Sequence, residues 1–62
     1  MSERKAGMIA NKIYAGVDSK QITPREALKM LDKIGHMFST TQYYKHLDFI
    51  RYYDANPHLL DV

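Results

Sequence analysis

Three groups of side chains in this sequence could do chemistry: histidines near carboxylates, tyrosines in adjacent pairs, and a row of lysines and arginines. Asp32 and His36 stand four apart, so a helix would place them on one side, as in half of a metal site. No second pair at helical spacing accompanies them, and without cysteine there is no thiolate ligand, so the pair reads as a surface ion pair. His46 falls among apolar residues, where a buried imidazole needs a partner such as a tyrosine hydroxyl or a helix-end carbonyl. It reads as a core or interface histidine rather than a catalytic one. Glu3, Asp18, Glu26, Asp32, Asp48, Asp54 and Asp61 are scattered, and no pair is spaced for acid–base work. The sequence therefore predicts a non-enzymatic protein with no cofactor and no metal.

The cations pose a second question. Arg25, Lys29, Lys33 and His36 recur along one side of a helical wheel, with Lys20 just before them, and such a stripe could follow a phosphate backbone. A sharper version makes the two later helices a helix-turn-helix, with Thr40, Thr41, Gln42 and Lys45 opening the recognition helix. That version fits poorly: with Gly35 as the turn glycine, bulky Leu31 falls where a small residue belongs and polar Thr41 where an apolar one does. Nucleic-acid binding is therefore the alternative reading, and an ordinary solvated helix face the plainer one. The tyrosine pairs Tyr43-Tyr44 and Tyr52-Tyr53 suggest base stacking, but Tyr43 and Tyr53 share the phase of the apolar residues. Tyr44 and Tyr52, beside Lys45 and Arg51, form an exposed aromatic and basic fringe of the kind that dominates protein–protein contacts.

These residues have to be positioned by helices. The best-specified segment is Ile22 to Phe38, where Thr23 can cap, Pro24 suits the first helical position and Glu26 can complete a capping box. Ala27, Leu31, Ile34 and Phe38 then stack at helical spacing, flanked by Leu28 and Gly35 on one side and by Met30 and Met37 on the other. Upstream, Ala6, Ile9, Ala10, Ile13 and Val17 share a face rich in alanine, with Gly16 as the expected C-terminal cap. Downstream, Ser39 stands three residues before Gln42 at capping-box spacing, and Asn56-Pro57 stops the last helix. In that helix Tyr43, His46, Leu47, Phe49, Ile50 and Tyr53 share the expected core sector. The predicted fold is all-α: one domain of three helices at about 3–17, 24–38 and 40–55, with a tail at 56–62 whose Leu59, Leu60 and Val62 fold back on the bundle or on a partner.

Composition sets the remaining bounds. A chain of 62 residues buries only about 60% of its unfolded surface, and this one has no disulfide to compensate. The charged start through Lys5 is followed by a stretch, Ala6 to Val17, that Asn11 and Lys12 interrupt, so neither a signal-peptide core nor a membrane span is expected, and the reading is a soluble cytoplasmic protein. Net charge is +2, the excess lying in residues 1 to 33, which is modest for a strong nucleic-acid binder. The last two helices carry broader apolar sectors than a slim first helix can cover. The sequence thus predicts an interaction or regulatory module acting through protein contacts, as a homo-oligomer and most simply a two-fold dimer. Its expected interface is Met30, Met37, Phe38, Tyr43, His46, Phe49, Ile50 and Tyr53.

Overall fold

Ser2, Thr23 and Ser39 each stand just before a helix, and each side-chain oxygen accepts a backbone N–H that the helix itself leaves unpaired. They open the three helices of the computed structural model, which describes residues 2–62: α1 (Glu3–Asp18), α2 (Pro24–Ile34) and α3 (Thr40–Ala55). Short 3-10 turns follow α2 (Gly35–Met37) and α3 (Pro57–Leu59), and no strand occurs among the described residues. The expected capping box is complete at α2: Thr23 Oγ1 accepts from Glu26 N at 3.2 Å, and Glu26 Oε1 accepts from Thr23 N at 3.2 Å. At α3 only half of it forms. Ser39 Oγ accepts from Gln42 N at 3.2 Å, but the Gln42 side chain turns toward α1 instead of reaching back.

Two boundaries differ from expectation. Helix two does not run as an α-helix to Phe38; it gives way after Ile34 to the tighter 3-10 turn. Phe38 leaves that turn with extended backbone, and its ring meets the His46 ring edge-on at 5.5 Å. The α1 cap also differs. Gly16 stays inside the helix, and the left-handed residue beyond the end is Lys20, with φ 63°. Lys20 N donates to Val17 O at 3.0 Å and Gln21 N to Gly16 O at 2.9 Å, the two crossing bonds of a Schellman closure. Glycine at 16 serves a different contact: a Cβ there would lie 3.2 Å from the Ile22 side chain, which folds back onto the last turn of α1 and would have to shift by a few tenths of an ångström.

The core is small and lies mainly between α1 and α2. Ala10 and Ile13 from α1 meet Ala27 and Leu31 from α2, and Leu31 is the largest side chain fully removed from solvent. Alanine on the facing sides lets the two helices come close, as their spacing predicts. Ile9, Val17, Ile22, Ile34, Phe38 and Phe49 surround this cluster only partly buried. The tail closes one end of the bundle. Leu60 O accepts from Arg25 N at 3.0 Å, and Asp61 takes the Arg25 guanidinium through Nε–Oδ1 at 2.8 Å and Nη2–Oδ2 at 3.1 Å. With Thr23 serving Glu26 N and Pro24 lacking an N–H, the first turn of α2 leaves no donor idle. Leu59 and Leu60 are half-buried by this fold-back, while Val62 remains 65% exposed. No helix among the described residues is long and apolar enough to cross a membrane.

Lys20 in a left-handed conformation is a local cost that a glycine would remove. Lys20→Gly should raise unfolding stability by roughly 0.5–1 kcal/mol after the greater unfolded-state freedom of glycine is subtracted. Urea denaturation followed by circular dichroism measures it, and a lower midpoint would contradict the assigned cap.

Candidate functional site

The third helix turns a partly polar line toward the rest of the bundle. Gln42, His46, Phe49 and Tyr53 recur at helical spacing on its inner side, and His46, 8% exposed, is the one buried residue of α3. Gln42 reaches α1 where Gly7 makes room, since a Cβ at that glycine would stand 3.3 Å from Gln42 Oε1. Among the described residues three buried polar atoms lack protein partners: Tyr14 Oη, Gln42 Nε2 and His46 Nδ1. The Gln42 amide approaches the Tyr14 hydroxyl without reaching hydrogen-bond geometry, and burial pushes the Tyr14 phenol above its ordinary value. Each such orphan costs on the order of 1–3 kcal/mol. Helix three therefore docks on the α1–α2 pair through polar as well as apolar side chains.

On the outer side an open groove runs between α2 and α3, lined by Leu28, Lys29, Asp32, His46 and Ile50, with a volume of about 300 Å³. Ile50 and Leu47 are half-buried, and Tyr43, expected in the core sector, is 49% exposed. The expected interface residues therefore divide. Ile50, Tyr43 and the edge of His46 belong to this outer side, whereas Phe49 and Tyr53 stack on each other at 4.9 Å and Phe49 contacts Tyr14 of α1 at 5.1 Å. Phe38 is taken up by the core and His46. Met30, 37% exposed, lies about 160° around α2 from Leu28, on the flank away from α3. Met37 is half-buried in the 3-10 turn that follows α2. Leu28 lines the groove and Leu47 is half-buried on α3.

The basic stripe is altered in the same way. Lys20, Arg25, Lys29, Lys33, Thr40, Thr41 and Lys45 are exposed, but Gln42 is half-buried against α1. Arg25 is engaged by Asp61, which raises the guanidinium pKa and holds the carboxyl below its usual range. Lys45 donates to Asn11 Oδ1 at 3.1 Å and sits 5.0 Å over the Tyr14 ring. Tyr44, Arg51 and Tyr52 are exposed, as expected of the fringe. Asp32 and His36 form no ion pair; the one pair among the described residues is Arg25–Asp61. Asp32 instead faces the groove that holds His46. Among the described residues no group of three His, Cys, Asp or Glu side chains is placed to hold a metal ion. No protein-family model matches the chain, and neither a curated protein nor a solved structure matches it.

Burial lowers the His46 pKa, and the Asp32 carboxylate only partly restores it. The unfolded chain, with an ordinary histidine value near 6.5, therefore binds more protons than the folded one below about pH 6.5. This contribution to stability is fully present above that value and declines as pH falls toward the folded pKa. Urea midpoints measured from pH 7 to 5 should fall in the natural chain, fall further in Asp32→Asn, and level off in His46→Phe. A flat natural profile would contradict the buried neutral imidazole.

Proposed function

We propose that this chain is a small non-enzymatic interaction module that works through protein contacts and pairs with its own copy across the outer α2/α3 side. The observation that carries this reading is that α3 buries only His46, while half-buried Leu28, Leu47 and Ile50 and exposed Tyr43 leave an apolar and aromatic strip partly open to solvent. Contiguous apolar strips on small proteins favour association, and a two-fold axis lets one strip cover its copy. Tyrosine at the edge suits such a contact because its ring buries area while its hydroxyl stays wet. The cysteine-free composition fits work in a reducing cytoplasm.

The nucleic-acid alternative has less to work with. Of the cations assigned to it, Arg25 is occupied by Asp61 and Lys45 by Asn11 and Tyr14, which leaves Lys20, Lys29 and Lys33. Strongly salt-dependent binders use about 6–10 phosphate contacts.

Sedimentation equilibrium at micromolar concentration should give twice the 7.2 kDa chain mass. Ile50→Glu should weaken dimerisation by roughly tenfold or more, since it puts an unpaired charge into the contact, while Met30→Glu on the other flank should leave it unchanged. A single-chain mass at every concentration would overturn the self-association. DNA binding that weakens steeply with salt and is reduced by Lys29→Ala with Lys33→Ala would replace this reading with the alternative.

A further inference from the structure

A second groove, on the opposite side of α3, combines aromatic walls with unpaired negative charge. Tyr14 and Asp18 of α1 and Asp48, Phe49, Tyr52 and Tyr53 of α3 line it, with Lys45 at one end. The rings form a continuous floor: Tyr14 to Phe49 at 5.1 Å, Phe49 to Tyr53 at 4.9 Å, and Tyr53 to Tyr52 at 5.0 Å. Tyr52 stands 53% exposed at the rim. The volume of about 340 Å³ is at the low end for ligand sites, the size of one long side chain rather than of a cofactor.

The electrostatics select a cation. Asp18 and Asp48 are exposed, and neither has an ion-pair partner among the described residues. Asp18 is also misplaced for folding. As the last residue of α1 it stands at the negative end of the helix dipole, where a carboxylate is unfavourable, and no basic residue in the last turn offsets it. A local conflict of this kind, without a structural return, is what a binding residue leaves in a sequence. The groove already accepts one positive group, since the Lys45 ammonium lies over the Tyr14 ring at 5.0 Å while its hydrogen bond goes outward to Asn11.

We propose that this groove binds an arginine side chain presented by a segment of a partner protein, stacked against Tyr52 and the Phe49/Tyr53 floor with Asp18 and Asp48 as counter-charges. Arginine fits better than lysine because its guanidinium is planar, weakly hydrated and stacks on aromatic faces. The inference rests on the reading of the chain as a protein-contact module, but it uses a different side of α3 from the self-association, so either can fail alone.

The test is NMR titration of the isotope-labelled full chain with a Gly-Arg-Gly peptide blocked at both ends, compared with Gly-Lys-Gly. Saturable shifts confined to Tyr14, Asp18, Asp48, Phe49, Tyr52 and Tyr53 are expected, with weaker binding of the lysine peptide. Asp18→Asn combined with Asp48→Asn should weaken binding roughly fivefold, about what two exposed ion pairs supply. Both side chains are exposed, so the variant should keep its fingerprint spectrum, and Tyr52→Ala provides an independent loss of binding. No shift at millimolar arginine peptide, equal affinity for the lysine peptide, or undiminished affinity in the double variant would overturn the assignment.

Discussion

The close approach of α1 and α2, through Ala10 and Ile13 against Ala27 and Leu31, is the contact on which the other elements depend. Small side chains make it possible and also limit it. Alanine buries little apolar area, and among the described residues Leu31 supplies the one large side chain fully removed from water. The molecule is correspondingly open: its 4448 Å² surface exceeds the roughly 4100 Å² typical of its mass. Its 11.1 Å radius of gyration likewise exceeds the ~10.6 Å of a tightly packed chain of this length. Helix ends contribute what the core does not, through the capping box, the crossed bonds at Lys20, and the tail carbonyl that satisfies Arg25 N.

Helix three is fastened to this pair by contacts of another kind. Its inner line presents an amide, an imidazole and two aromatic rings, and both His46 Nδ1 and Gln42 Nε2 are buried without partners. A helix held this way keeps its position at the expense of desolvated polar groups and leaves apolar surface open on one side and a tyrosine-rich groove on the other. The two proposed contact faces follow from that single circumstance. Elements of low local stability are where proteins tend to place binding surfaces, because few contacts tie them down.

Local chemistry was more legible in the sequence than tertiary placement. Thr23, Pro24 and Glu26 announced the start of α2 because a cap is decided by residues within one turn, and Asn56-Pro57 stopped α3 for an equally local reason. The α1 closure was misread because glycine is the usual left-handed residue, whereas here Lys20 adopts it and Gly16 serves the approach of Ile22. A helical wheel put Tyr43 in the core sector, yet the wheel carries no crossing angle, and α3 meets the bundle along 42, 46, 49 and 53. The Arg25–Asp61 pair spans 36 positions, and nothing at either end of that interval marks the partner. For the same reason the tyrosine-lined groove, assembled from α1 and α3, was not visible beforehand.

Residue-resolved native-state hydrogen exchange, at a dilution where the chain is monomeric, tests most directly whether the α1–α2 contact carries the fold and α3 is docked onto it. The amides of Ala10, Ile13 and Leu31 should exchange only through global unfolding, while those from Leu47 to Tyr53 exchange through a smaller opening that is less sensitive to denaturant. Equal protection in all three helices, or the slowest exchange in α3, would contradict the account.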